Sequence, residues 1–282
     1  MKFLRRLFLL SLCGLLLPAR VSAGDDVGIL IMSHGGSSKW NKTIKRTVKA
    51  AKISYPCRIF FGMGHSQEEV DDLHQAVNSL ESKGVHQIII IPLLISSYSE
   101  IYRQWRYLLG SNVNPGFINN AFFPIEHRAE IRFLDPLNDD PIISEILMEH
   151  AVAISQKPEE ESVIIVTHGP NDDTDNQKWL DTLDRISERM RKQGPFNSIE
   201  GVTLRDDAPS DVRSQAIQIF REKVEAIHAR KGRTLVIPLL LAPGGIESKI
   251  HNALKGLDYT LNPKTLLPDS RISQWIKDKA TP

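Results

Sequence analysis

Two histidines stand where apolar runs break into small residues. His34 lies in IMSHGGSSKW (Ile31 to Trp40) and His168 in VIIVTHGPND (Val163 to Asp172), each followed directly by glycine. An imidazole can be neutral near pH 7, so a histidine at a strand end can take up a proton or ligate a metal. A single histidine bonded to its own loop would read the same way. The second His-Gly pair at the matching place points to function, although a duplicated structural turn would leave the same trace.

Spacing tests three other chemistries. GMGHSQ (Gly62 to Gln67) has two glycines of a dinucleotide fingerprint but Gln67 where the third should stand. An HGG segment can form part of an esterase oxyanion hole, yet the chain has no Gly-x-Ser-x-Gly nucleophile turn. A histidine phosphatase would carry an arginine where Ser33 precedes His34. Metal ligation is the next class, and none of the nine histidines forms a close-spaced zinc pattern. His65 directly follows a strand-like run, which in a parallel sheet would bring it near His34. His74, His150 and His228 lie in polar helical stretches and are expected to face solvent.

Two further segments carry charge or open backbone at strand ends. TLRDDAP (Thr203 to Pro209) sets Arg205, Asp206 and Asp207 after a strand; the acids suit a metal or a base, and equally a turn and N-cap with a paired arginine. LLAPGGIESKIHNAL (Leu240 to Leu254) sets Pro243, Gly244 and Gly245 before a helix whose first N–H groups can hold a ligand carboxylate, with Glu247 and Lys249 in its first turn. A plain helix start accounts for it as well.

Positioning these residues requires strands whose carboxyl ends converge. Apolar runs of strand length recur at Val27–Met32, Arg58–Phe61, Gln87–Leu94, Glu130–Leu134, Val163–Val166, Ile199–Leu204, Thr234–Leu241 and Thr265–Leu267. Most are continuous in Ile, Val and Leu, the pattern of parallel strands covered on both faces. Amphipathic stretches such as Gln67–Lys83 and Asp211–Arg230 lie between them and end near Gly84 and Gly232, where a C-cap is expected. The class is therefore α/β. The order of signals repeats: VGILIMSHGG answers SVIIVTHGPN, HQIIIIPLLISS answers TLVIPLLLAPGG, and IRFLDPLNDDPIISEIL answers TLLPDSRISQWI more loosely. Two four-strand units follow, residues 24–157 and 158–282, divided at the polar QKPEEE stretch. They are expected to face each other across a cleft, with both His-Gly pairs at the carboxyl edge where parallel sheets bind ligands.

Composition narrows the partners. The 35 basic and 34 acidic residues nearly cancel and form no basic stripe, which argues against nucleic acid. Lys2, Arg5 and Arg6, the apolar Leu7 to Leu17 stretch and the small residues up to Ala23 have the pattern of a cleavable secretory signal, with cleavage after Ala23 and a periplasmic or secreted destination. Removal of that segment takes Cys13 with it and leaves Cys57 alone, expected to be buried as a small apolar side chain. No other segment is long and apolar enough to cross a membrane.

In that order, SHGG, FGMG, IPLLISSYSEI, THGPND, TLRDDAP and IPLLLAPGGIE resemble the long, two-repeat members of the sirohydrochlorin cobaltochelatase (CbiX) family, over nearly the whole chain after residue 23. The resemblance implies a class II chelatase fold with two flavodoxin-like halves. It also implies insertion of a divalent metal, cobalt or iron, into a tetrapyrrole without a nucleotide. Such an enzyme must strip water from the cation and remove two pyrrole protons, for which neutral imidazoles and a carboxylate are suited. By resemblance His34 is the catalytic and first metal-binding histidine. The family's second histidine is replaced by Tyr98, a phenol that titrates near pH 10 and favours ferric iron when ionised. The metal set expected on this basis is His34, Tyr98, His65 and Glu100, with His168 and Glu247 as lesser candidates. Ser96, Ser97, Pro243, Gly244 and Gly245 are the expected tetrapyrrole contacts. The alternative is an exported tetrapyrrole-, haem- or metal-binding protein without chelatase activity.

Overall fold

In the computed structural model, residues 26–116 and 122–281 are described. The expected signal segment, with Cys13 and the cleavage point after Ala23, lies outside the described residues. Among those described, no helix is long and apolar enough to cross a membrane.

The branched apolar runs form strands buried on both faces. The first half runs β1 (Val27–Ser33), α1 (Ser38–Ala50), β2 (Cys57–Phe61), α2 (Gln67–Glu81), β3 (Gln87–Pro92), α3 (Glu100–Leu108), β4 (Glu130–Phe133) and α4 (Pro141–Val152). After a 3-10 turn at Pro158–Glu160 the second half runs β5 (Glu161–Thr167), α5 (Asp173–Arg191), β6 (Ser198–Thr203), α6 (Ser210–Ala229), β7 (Arg233–Pro238), α7 (Ile246–Ala253), β8 (Thr260–Leu261) and α8 (Ser270–Lys279). Each half has a four-stranded parallel sheet, ordered β2-β1-β3-β4 and β6-β5-β7-β8.

Seven strands fall on the runs read from sequence, and the eighth differs. Strand β8 is Thr260–Leu261, five residues before the expected Thr265–Leu267. Pro263 has no N–H to donate and interrupts the ladder. Pairing with the chain beyond β7 then resumes, as Leu266 N and Leu267 N each donate at 2.9 Å to the Leu240 and Leu241 carbonyls. The turn after α6 also differs in detail, since Lys231 (φ 59°), and not Gly232, takes the left-handed conformation.

Side chains alternate between two cores because strand neighbours point to opposite faces. Ile29, Ile31, Ile89 and Ile91 of the first sheet and Val163, Ile165, Leu235 and Ile237 of the second belong to one continuous core. The intervening Leu30, Met32, Ile88 and Ile90 pack outward against α2 and α3. Ile164, Val166 and Val236 pack outward against α6 and α7. Between the sheets lie α1, α4, α5 and α8. Helix α4 packs against α5 and β7 of the second half, and α8 returns to pack against α1 of the first. Each half thus lends its last helix across the boundary. Arg271 of α8 bonds Glu149 of α4 at 2.7 Å, and Trp275 Nε1 donates to Asp140 at 3.0 Å. This exchange overturns the solvent-facing expectation for His150, which is 8% exposed inside the α4 packing and whose carbonyl accepts from Asn262 at 2.7 Å. The expectation for Cys57 is met in part: it is half-buried, and burial pushes its thiol up to about 11.

Candidate functional site

The ladders run up to both histidines and stop there. Gly62 N donates to Ser33 O at 3.1 Å and Leu93 N to Met32 O at 2.8 Å around the end of β1. Leu204 N donates to Thr167 O at 2.9 Å and Leu239 N to Val166 O at 2.8 Å around the end of β5. In both sheets the strand order reverses between the first and third strands, so each histidine stands at the crevice where parallel sheets hold ligands. The glycines that follow have a conformational reason: Gly35 and Gly169 sit at φ 79° and 76°, which disfavours any residue with a Cβ. A Cβ on Gly169 would also stand 2.5 Å from the Thr203 Cβ. No such backbone demand applies to the histidines beside them.

His34 packs its ring on Trp40, the buried first-turn residue of α1, at 4.5 Å between centroids. Burial lowers its pKa below the ordinary 6.5 and the positive charge of His168 lowers it further, against a hydrogen bond to the Gly35 backbone that raises it. The imidazole is therefore neutral at pH 7. His168 Nδ1 lies 2.9 Å from Gly169 O, so that nitrogen donates to the carbonyl and orients the ring. Nε2 lies 3.2 Å from Asp207. Arg205 secures this edge: nearly buried at φ 48°, it donates to the Pro170 carbonyl at 3.2 Å and to that of Asn171, and pairs with Asp173 at 2.6 Å. It ties the loop carrying His168 to the loop carrying Asp206 and Asp207.

From the first half, α3 begins at Glu100 against the acidic start of α5. Burial raises the Glu100 pKa; Arg103 opposes this, while Asp175, Asp172 and Asp207 add to it. Arg103 pairs with Asp175, whose own helix start is capped by Asp172. Lys178 Nζ sits 5.5 Å from the Tyr98 ring centroid. These contacts join the carboxyl edges of the two sheets.

The sequence matches no protein-family model and no curated protein. The structure does find neighbours. It superposes on the structure of SirB from Bacillus subtilis with Fe3+ at a TM-score of 0.64 and 16% identity, over 91% of this chain and 96% of that one. The fold is chelatase-like. A second neighbour is DR2241 from Deinococcus radiodurans, a multi-domain protein with structural similarity to chelatases and two additional novel domains. It matches at a TM-score of 0.56 and 13% identity, over 92% of this chain and 55% of that one.

Within this chelatase-like fold the expected site residues have different surroundings. His34 and His168 occupy equivalent places in the two halves, and Glu100 and Tyr98 line the same edge. His65 Nδ1 lies 2.9 Å from Glu69, a carboxylate that also accepts the Gly64 and His65 backbone N–H groups at 2.8 and 3.0 Å as part of the α2 cap. Ser96 is fully buried with its hydroxyl accepting from Tyr98 N at 3.1 Å. Ser97 exchanges hydrogen bonds with Asn138 at 2.8 and 2.9 Å, so both serines shape the loop that presents Tyr98. Pro243, Gly244 and Gly245 are exposed, and a Cβ on either glycine would meet nothing within 4 Å. Glu247 lies in the first turn of α7. Among the described residues, His168, Asp206 and Asp207 form the one group of three His, Cys, Asp or Glu ligand atoms within 4.8 Å of one another. The set of His34, His65 and Glu100 does not converge to that separation. Sequence reasoning missed Arg103, Asp175 and Lys178, whose contacts join residues 72 (Arg103–Asp175) and 80 (Tyr98–Lys178) positions apart. Their one local signal was the charged helix starts.

Proposed function

We propose that this protein is a chelatase that inserts a divalent metal, cobalt or iron, into a sirohydrochlorin-like tetrapyrrole outside the cytoplasm. One observation carries the reading: two half-related histidines, one of them held neutral by burial, stand at the switch points of both sheets of a chelatase-like fold. A metal approaching the cleft meets the His34 imidazole backed by Trp40. With the metal at His34, the Glu100 carboxyl, whose pKa burial raises, is suited to take up a pyrrole proton. The acidic start of α5 draws the cation in. The exposed Pro243–Gly245 turn at the start of α7 offers backbone N–H groups to substrate carboxylates. The structure of SirB with Fe3+ supports iron alongside cobalt as the metal.

The purified protein, incubated anaerobically with sirohydrochlorin and Co2+ or Fe2+, is expected to convert the free-base absorbance spectrum catalytically. His34→Ala is expected to lower the rate by about 100-fold or more. Tyr98→His is expected to raise cobalt insertion by adding a second neutral nitrogen ligand. An unchanged rate would mean that position 98 does not touch the metal. Tyr98, with Lys178 over its ring, favours the second reading, a tetrapyrrole-, haem- or metal-binding protein. Stoichiometric spectral change with no turnover would select it.

A further inference from the structure

Helices α1 and α8 come from different halves, and where they meet they line a half-open cavity of about 520 Å³, a volume that suits a small molecule. Three cations line it: Arg46 near the end of α1, Lys52 just beyond that helix, and Lys277 of α8. Among the described residues none of the three pairs with an acid. The chain as a whole nearly balances its 35 basic and 34 acidic residues, yet α1 also carries Lys39, Lys42, Lys45 and Lys49 and no acidic residue. The one acid in the cavity lining, Asp269, is already answered: its Oδ1 accepts from Arg271 N at 2.8 Å and Nε at 3.0 Å, and its Oδ2 from Arg271 Nη2 at 2.7 Å. Cations gathered around a shared hollow repel one another, and an anion between them removes that cost. A second observation points into the same hollow. Ser273 lines it and is only 9% exposed, and its hydroxyl has no hydrogen-bond partner among the described residues. The neighbouring buried hydroxyl, that of Thr47, donates instead to the Thr43 carbonyl at 3.1 Å. An unpaired buried hydroxyl is costly, and an oxyanion in the cavity would accept its proton.

We propose that this cavity binds a small phosphate-bearing anion, a phosphate ester or a diphosphate, that bridges the two halves. Charge selects the class: three cations exceed what one carboxylate can answer, whereas a phosphate monoester carries about −1.5 to −2 at pH 7. Arg46 brings a planar fork of N–H donors that matches two phosphate oxygens, and the two lysines act as point charges. Ser273 donates to a further oxygen. The start of α8 is not needed for this, since Asp269 already takes the Arg271 N–H. The lining belongs to the end of α1 away from His34, so the site is separate from both strand-end histidines and does not rest on the insertion reading. A ligand held there ties α8 to α1 and stabilises the helix exchange that joins the halves.

The probe is inorganic diphosphate titrated into the purified, metal-free protein at constant ionic strength, followed by calorimetry and by melting temperature. One equivalent is expected to bind and to raise the melting temperature, with inorganic phosphate binding more weakly. Arg46→Gln and Lys277→Gln, both at exposed positions that leave the fold intact, are each expected to weaken binding by about tenfold. Ser273→Ala is expected to weaken it by about fivefold while leaving the melting temperature without ligand unchanged or higher, which loss of a structural hydrogen bond would not do. No binding at millimolar diphosphate, or equal affinity in wild type, R46Q and K277Q, would overturn the site. Citrate binding as tightly as diphosphate would overturn its phosphate class. A lipid headgroup is the other source of such a phosphate, and phosphatidylglycerol vesicles are expected not to sediment the protein at physiological salt. Sedimentation that R46Q and K277Q abolish, with no binding of free diphosphate, would overturn the small-molecule site in favour of a membrane surface.

Discussion

Protonating His34 works against its surroundings, and the consequence is measurable in stability as well as activity. Its folded pKa lies below the unfolded 6.5, so between those values the unfolded chain binds more protons and stability rises with pH. The contribution is complete above pH 6.5 and is lost as pH falls toward the folded pKa. Buried His150 acts with the same sign, its pKa lowered first by burial and then by Lys264. The melting temperature of wild type is therefore expected to drop between pH 7.5 and 5.5 more than that of a His34→Gln, His150→Gln variant. Parallel curves would refute the assignment. The acid limb of the insertion rate should likewise have its midpoint below pH 6.5.

At the scale of an element, the loop after a strand end matters as much as the strand. Gly84 and Gly169 both need a positive φ, but a Cβ at Gly84 meets open space while one at Gly169 meets Thr203. Denaturant titrations should place Gly84→Ala about 1 kcal/mol below wild type, with Gly169→Ala losing distinctly more; equal losses would mean that the loop relaxes. Arg205→Ala removes a cation bonded to the Pro170 and Asn171 carbonyls and is expected to cost about 2 kcal/mol of stability. The element that strayed furthest from its sequence signal, β8, did so because Pro263 shifted the ladder, and the hydrophobic Leu266–Leu267 run was pairing beyond the strand.

Across the whole molecule, the exchange of α4 and α8 makes the two halves one folding unit. Heat and denaturant should produce a single transition, with near-ultraviolet dichroism and fluorescence coinciding. Trp275, buried beside the first half, should lose about 3 kcal/mol as Trp275→Ala, with loss of that single transition an informative failure. The halves cut at residue 157 should not refold alone, since each would expose the face that its partner's helix covers.

Much of this was legible in the chain itself. Continuous Ile, Val and Leu runs, spaced by amphipathic stretches, dictated buried parallel strands, and their repeated order dictated two similar halves, because local periodicity is a property of neighbouring residues. The His-Gly repeat marked both strand ends for the same reason. Which groups face those histidines was settled only by tertiary structure. Arg103 meets Asp175, Lys178 covers Tyr98, and Lys249 reaches Asp206 through contacts between distant segments that leave no spacing in the sequence. His65, marked by its place after β2, is instead engaged with the α2 capping carboxylate Glu69, and His168, ranked low, stands in the tightest donor cluster. Periodicity reports which face of an element is buried, while the partners of a charged side chain depend on how whole elements pack.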